Sequence, residues 1–458
     1  MKRLTRRVLI AVLRFALRVF FRRIEVVGRE RVPRRGATVF VLNHPNGLVD
    51  PVFVLCHAPR RVSFLAKSTL FKTPVIGSLV RAMEAIPVYR KQDAGEDTSK
   101  NRETFERSAE LLRRGGTLAI CPEGKSHSEP SLQPLKTGAA RIALGAASSG
   151  AALDLKIVPA GLYYTAKTTF RSGALLYFGE PIPVPAVPLE EDGDPPREAV
   201  RELSDRVAAA LRSLTLNADQ HEALQMVARA DRIFSSAEED ADERTSLERE
   251  LRRRRRFVEG YAFHRENSSR RLEELVRRIR QYEEELEQAG LEDPRDLSTA
   301  TVSKHASLSH LLTRGLVFLL LAPLALAGAV LHYPAYTLAG YLATKFSASY
   351  DDVLSTFKIV ASLLLFPLTW LVLAVVSYLL FGWWGVLAAL TLAPVAGYTA
   401  LRFSEEFDRF VAGGRAVLFF VRQRRFFTRL LDERRAIRKE ILELGYEAER
   451  AGALKTGS

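Results

Sequence analysis

The sequence predicts an α/β domain with a mixed, largely parallel sheet flanked by helices, then a charged helical segment, then a C-terminal transmembrane helical region. Three observations predict it. Short β-branched apolar runs (ATVFVLN, VSFLAK, TLAICPEG, LKIVPAGLYY, ALLYFGEPI) alternate with helix-like pieces between residues 25 and 215. Charged residues at helical spacing dominate from about 219 to 292. Between 311 and 401 the chain turns almost wholly apolar.

The first element, residues 1–24, contains RRVLIAVLRFALRVFFRR. Arginines interrupt its apolar run and no small-residue cleavage site follows, which argues against a signal peptide. At helical spacing Arg7, Arg14, Arg18 and Arg22 share a face, and Leu9, Val12, Leu13, Ala16, Val19 and Phe20 cover the rest. This predicts a basic amphipathic helix in a membrane interface. A helix packed on the following domain has the same periodicity.

Residues 25–215 are the α/β domain. KNRETFERSAELLRRGG and LKTGAARIALGAASSG are helices that glycines stop, at Gly115–Gly116 and at Gly150. PAVPLEEDGDPPREA, 184–198, is a loop that leads into a helix at 197–213. Residues 216–310 read as a helical hairpin or short coiled coil, with Leu272, Leu275, Val276, Ile279, Tyr282 and Leu286 as its seam. The run Arg252–Arg256 lacks the aromatic ladder of a nucleic-acid site, so it reads as a solvated face or a contact with anionic lipid.

Residues 311–401 are the transmembrane region, with a turn at Phe381-Gly382-Trp383-Trp384 between runs at 357–380 and 383–401. The stretch 314–343 is expected to re-enter or to break around His332-Tyr333-Pro334. Basic flanks, including Arg314 and Arg402, predict that both ends face the cytoplasm and that the crossings are even in number. Residues 402–458 are a basic cytoplasmic tail.

The net charge of +14 over 458 residues suits anionic lipid or phosphorylated partners. With only Cys56 and Cys121, no disulfide framework or zinc spacing exists. His57, His264, His305, His310 and His332 form no ligand-spaced cluster, so no metal is expected.

Chemistry concentrates in four segments. In FVLNHPNGLVDP, 40–51, His44 follows a strand and Asp50 lies six positions on. A histidine takes a proton near neutral pH, and a carboxylate fixes its tautomer. No Gly-x-Ser-x-Gly elbow is present, so His44 is expected to activate a hydroxyl of the substrate. EAIPVYRKQD places Arg90 after a short apolar run. CPEGKSHSEPSLQPLKTGAARIAL places Glu123, Gly124, Lys125, Ser126 and His127 between a strand and a helix, a natural anion site. IVPAGLYY closes another strand at Val158-Pro159-Ala160-Gly161. Each cation alone could be a solvated surface charge, and Glu123 alone could be a capping or paired acid. Lys136 reads as solvent-facing, and His127 as a loop hydrogen-bonder.

In this order the four segments resemble the four blocks of the glycerophospholipid acyltransferase superfamily, over roughly residues 25 to 215. The common pattern has four residues between His and Asp; here Pro45 to Val49 make five. The form Asn-His-Pro-Asn-x-x-x-Asp-Pro is similar to the branch that includes glycerol-3-phosphate and dihydroxyacetone-phosphate acyltransferases. That branch tends to carry Pro-Glu-Gly-x-Ser-His, as here. LTLNADQHEALQMVARADRIF, 214–234, looks like a segment that follows its catalytic domain.

The resemblance implies a membrane-bound O-acyltransferase of phospholipid synthesis. His44 would be the general base and Asp50 its orienting carboxylate. Arg90 would bind the acceptor phosphate. Glu123 and Gly124 would shape the acceptor site with Lys125, and Pro159 would lie near the acyl donor. Ser126 stands where members often carry an arginine, which leaves glycerol 3-phosphate and a lysophospholipid such as lysophosphatidate both open as acceptor. The implied co-substrate is acyl-CoA or acyl carrier protein, with no cofactor. The implied partners are membrane lipids and these substrates, and not nucleic acid. The implied place is a membrane, with the catalytic domain on the cytoplasmic face, as in a bacterial inner membrane. A non-catalytic membrane scaffold that keeps the fold is the rival of another class.

Overall fold

The computed structural model describes residues 2–73, 76–90, 93, 97–149, 153–236, 246–291, 293–294, 297, 308–347 and 351–454. Gly150 and His305 lie outside the described residues, as does the side chain of His310. The chain divides into two compact units, Met1–Asn217 with Ala343–Ile359, and Ala218–Leu342 with Val360–Ser458.

The first unit is built on an eight-stranded sheet. Its strands are β1 (Arg23–Val27), β2 (Ala37–Leu42), β3 (Ser63–Lys67), β4 (Ile86–Val88), β5 (Thr117–Ile120), β6 (Leu155–Tyr164), β7 (Gly173–Phe178) and β8 (Ile182–Pro183). The order across the sheet is β1-β7-β6-β2-β5-β3-β4, with β8 beside β6. Five pairings are parallel; β6 meets β7 and β8 antiparallel. The fold is therefore the mixed, largely parallel α/β sheet that the alternating runs predict.

β2 shows why these runs are apolar throughout. It is central, and all six of its residues are buried. Phe40 and Leu42 point into a core that includes α1 (Lys2–Phe20) and α2 (Val49–His57). Val39 and Val41 point into the opposite core, beside α5 (Gly138–Ala147) and α6 (Arg197–Leu214). The period of two then puts an apolar side chain on each covered face, and no polar alternation remains. α6 follows helical spacing instead, burying Val200, Leu203, Val207 and Leu211.

α1 packs Leu13, Leu17 and Phe20 into the first core. Arg6 donates to the Val62 carbonyl at 2.8 Å and Arg14 to the Cys56 carbonyl at 2.5 Å, at the end of α2. Arg14 therefore does not share an open face with Arg7 and Arg18. The outer face instead exposes Leu4, Val8, Val12 and Phe15, spaced by four, four and three.

Pro159 lies inside β6 rather than at its close. Its carbonyl accepts from Gly179 at 2.8 Å, on the edge shared with β7 and β8. The N–H and C=O of a strand residue point to the same edge. β8 reaches only Ile157 and β7 begins at Ala160, so the missing proline N–H falls between two partners and costs no ladder bond.

In the second unit, α7 (His221–Ser236), α8 (Leu247–Asn267), α9 (Ser269–Gln288) and the last helix, α12 (Arg424–Arg450), share one core around Ile233, Leu275, Ile279, Tyr282, Phe427, Leu430 and Ile437. The arginine run departs in part from the solvated or lipid-facing reading: Arg252 and Arg256 are exposed, but Arg253 and Arg254 are not. Arg253 and Arg254 both clasp the buried Asp231, Arg252 pairs with Glu248, and Arg256 pairs with Glu449 of α12. Arg278 likewise bridges α9 to Glu433 and Glu440 of α12. Arg253, Arg254, Arg256 and Arg278 thus join helices, while the Arg252 pair lies within α8.

Among the described residues two helices are long and apolar enough to cross a membrane: α10 (Leu308–Phe346) and α11 (Asp351–Arg422). α11 breaks at Gly382, where φ is 63° and ψ is −152°, inside the expected turn. α10 runs unbroken through His332-Tyr333-Pro334, contrary to the expected re-entry or break. His332 donates Nδ1–H to the Gly328 carbonyl at 2.8 Å and accepts from Trp370 Nε1 at 2.9 Å. A proline removes one helical hydrogen bond, and these side-chain bonds reinforce the helix around it.

Candidate active site

The carboxyl ends of four neighbouring strands, β2, β5, β3 and β4, converge on one edge of the sheet. His44 follows β2, Glu123 follows β5, Lys67 ends β3 and Arg90 follows β4. Parallel strands all end at the same edge, which is where open α/β sheets bind ligands.

His44 and Asp50 meet across the loop between β2 and α2. Nδ1 of His44 lies 2.9 Å from Oδ2 of Asp50. Asp50 sits in the first turn of α2, where a carboxylate is favoured by the helix dipole. Its side chain is 0% exposed, against 18% for His44. The other bonds to Asp50 come from the Asn46 N–H, at 2.7 Å to Oδ2, and the Tyr164 hydroxyl, at 2.7 Å to Oδ1. A buried carboxylate with three donors is compensated and fixed in place. It makes Nδ1 the protonated nitrogen of a neutral imidazole and leaves Nε2 to take a proton.

Burial alone would lower the His44 pKa. The Cys121 sulfur beside the ring and the Asp50 carboxylate outweigh it and hold the imidazole well above its ordinary 6.5. Burial, and then Asp50, push the Tyr164 phenol well above its ordinary value, so it stays a donor.

Asn43 extends the β2–β6 ladder past the end of β2. Its side chain donates to the Leu162 carbonyl at 3.0 Å and accepts from the Leu162 N–H at 2.7 Å. This fixes the residue before His44. Glu123 fixes His44 itself, accepting its backbone N–H at 2.8 Å. The second oxygen of Glu123 accepts from the Gln133 N–H at 2.8 Å and from His127 Nε2. Both oxygens of Glu123 are engaged in holding the loops around His44, so it shapes the site. His127 accepts the Glu129 N–H at Nδ1, as the expected loop hydrogen-bonder.

Arg90 donates to the Gly124 carbonyl at 2.9 Å, which ties the second segment to the third. Its other nitrogens grip Asp93 at 3.0 and 3.2 Å, and Lys67 joins Asp93 at 3.2 Å. Burial alone would raise the Asp93 carboxyl; Arg90 and Lys67 outweigh it and hold it below its ordinary value. Two cations around one anion leave a net positive cluster at the end of β3 and β4. Gly124 has φ of +77°, and the Lys136 chain lies where a side chain would stand. Lys125 is exposed at the rim, outside this cluster. Pro159 is buried opposite Val41 and is set back from His44.

Tyr164, Asn46, Lys67, Cys121, Lys167 and Asp352 were not expected here. Lys67 ends the apolar run VSFLAK, which was a usable signal. Tyr164 and Asp352 reach the loop only through tertiary contacts, which no local pattern marks.

The chain is similar to known proteins over two stretches. Residues 23–163 match the Acyltransferase family model, and residues 227–449 match the Glycerol-3-phosphate acyltransferase 2 C-terminal domain model. Glycerol-3-phosphate O-acyltransferase 2 of Saccharomyces cerevisiae is 30% identical over 61% of this chain and 38% of its own length. Glycerol-3-phosphate O-acyltransferase 1 of the same yeast is 27% identical over 77% of this chain and 58% of its own. The chain thus spans less than two thirds of either relative's length. An uncharacterized acyltransferase of Schizosaccharomyces pombe is 26% identical over 84% of this chain and 72% of its own. The solved 1-acyl-sn-glycerophosphate acyltransferase of Thermotoga maritima overlays with a TM-score of 0.33 at 20% identity, over 46% of this chain and 81% of that one.

Proposed function

From a chain that belongs to the glycerophospholipid acyltransferase superfamily, we propose an enzyme that moves a fatty acyl group from an acyl thioester to a hydroxyl of glycerol 3-phosphate. The observation that carries this reading is His44 held by Asp50, itself fixed by Tyr164 and Asn46, at the strand ends. His44 Nε2 takes the hydroxyl proton as the oxygen attacks the thioester carbonyl. The C–O bond forms, the C–S bond breaks, and the imidazolium returns the proton to the leaving thiolate. Arg90 and Lys67 attract the acceptor phosphate, with Asp93 keeping their side chains extended toward the site. The thioester is acyl-CoA or acyl carrier protein, whose phosphates suit the basic surface.

A lysophosphatidate acceptor is the second reading. Ser126 in the third segment leaves it open, and shorter matches to proteins named 1-acyl-sn-glycerol-3-phosphate acyltransferase support it, including one from Bacillus subtilis at 30% identity over 35% of this chain. The scaffold reading is disfavoured, because a non-catalytic protein has no need of a buried, fully bonded Asp50 behind His44.

Membrane association follows from the apolar surface. Leu319, Leu320, Leu379, Trp383 and Trp384 are among many large side chains left exposed on α10 and α11. The outer stripe of α1, flanked by Arg7 and Arg18, suits an anionic lipid interface. The basic flanks favour a cytoplasmic catalytic unit. α10 and the two halves of α11 make three apolar runs, so an even number of crossings requires one of them not to cross. The relatives matched over most of the chain are fungal, which gives no support to a bacterial membrane in particular.

The test is product analysis. Membranes carrying the protein receive labelled palmitoyl-CoA with either glycerol 3-phosphate or lysophosphatidate. Lysophosphatidate formed from the first acceptor supports the proposal. Phosphatidate formed only from the second replaces the acceptor. No product with either acceptor, from palmitoyl-CoA or palmitoyl-acyl carrier protein, sinks the enzymatic reading.

A further inference from the structure

The segment Ala343–Ile359 belongs to the catalytic unit although it lies far along the chain, inside the C-terminal family match. Its contacts fall on three loops around His44. Asp352 Oδ2 accepts from the Ser126 hydroxyl. The Ser355 hydroxyl donates to the Lys167 carbonyl, and Lys358 Nζ donates to the Thr168 carbonyl at 2.8 Å. Gly47, in the loop between His44 and Asp50, has φ of +43°, and a Cβ there would stand 2.9 Å from the Asp352 carbonyl and 3.1 Å from Thr356 Oγ1. Only glycine lets the two backbones come this close. Ser355 and Thr356 are buried by the approach, and Ile359 packs against the core that holds α2.

Lys167 links this segment to the histidine. Its ammonium donates to the Pro45 carbonyl at 3.1 Å, next to His44, and to the Ser128 hydroxyl at 2.7 Å. Burial lowers its pKa, against the pull of Asp352, Asp50 and Asp351. Asp352 is thus a counter-charge to Lys167 and the acceptor for Ser126.

We infer that Asp352 is a positioning residue for acyl transfer: with Ser126 and Lys167 it fixes the His44 loop, so the site is complete only with the first turns of α11. The inference rests on the acyl-transfer reading. Ser126, which fills the place of the arginine common in the resembling family, here serves as the socket for Asp352.

The experiment uses the full chain in membranes and compares Asp352→Asn, Asp352→Glu, Ser126→Ala and the Asn/Ala double variant. Rates are set against the folded fraction. Asp352→Asn is expected to lower kcat about tenfold with the acceptor KM within about twofold, and Asp352→Glu to restore most of it. Because the two act through one contact, the double variant is expected to lose no more than the worse single variant. Amide hydrogen exchange at 44–48 and 126–128 is expected to quicken about tenfold in Asp352→Asn. That last readout needs no turnover, so it judges the inference even if the wild type transfers no acyl group. Wild-type kcat and unchanged exchange in Asp352→Asn overturn it, as do losses that multiply in the double variant.

Discussion

The Tyr164 hydroxyl donates to Oδ1 of Asp50 at 2.7 Å, which leaves Oδ2 of that carboxylate for His44. The end of β6, the strand beside β2, therefore orients the His44–Asp50 pair. Asp50 is fully buried, so each of its donors matters more than an exposed one would.

Tyr164→Phe removes this one bond and keeps the ring among Phe21 and Phe53. We expect kcat to fall about tenfold, the equivalent of roughly 1.4 kcal/mol, with the acceptor KM little changed. Steady-state kinetics check it. A variant that weakens only KM would move Tyr164 to substrate binding.

The raised pKa of His44 sets the pH dependence. On the proposed mechanism the base is the neutral imidazole, so kcat/KM should climb with pH along a limb centred above 6.5, the ordinary value. Asp50→Asn removes a charge that raises it. The limb should then move to lower pH while the plateau falls by about 100-fold or more. For stability, a folded value above the unfolded one contributes fully below about 6.5 and is lost as pH rises through the folded value. Unfolding midpoints across that range check the sign.

Cys121 borders the His44 ring, whereas Cys56 is buried with its thiol pushed up to about 12 by burial. N-ethylmaleimide should therefore label Cys121 first and stop acyl transfer, and glycerol 3-phosphate should slow the labelling. Peptide mapping identifies the site. Cys121→Ser, measured against its own untreated rate, should resist the reagent.

In the helical unit, Asp231 is 3% exposed between Arg253 and Arg254. Asp231→Asn removes the anion that Arg253 clasps, while Arg254 keeps Glu250, and should cost roughly 3 kcal/mol. Thermal unfolding of the variant measures it.

Much of the catalytic unit is legible in the sequence because its signals are local. Strand runs, the glycines after the helix at 101–113, and the His44–Asp50 spacing all lie within one loop or element. What escaped depends on register. Tyr164 reaches Asp50 because β6 lies beside β2, and Glu123 reaches the His44 N–H because β5 lies on the other side of β2. Neither adjacency is written in a short window. Pro159 shows the same limit: it reads as a strand end, yet it sits where β8 stops and β7 begins. The arginine run misleads for a related reason, since Asp231 and Glu449, which hold Arg253, Arg254 and Arg256, stand on α7 and α12, up to 193 residues away.

The most direct measurement is the initial rate of acyl transfer from labelled palmitoyl-CoA to glycerol 3-phosphate by His44→Ala, in membranes, with folding checked by thermal unfolding. Loss of the general base predicts a fall of about 100-fold or more at unchanged fold. A folded variant that keeps its rate within a few-fold of wild type would contradict the assignment of His44 as the base, and with it the central claim.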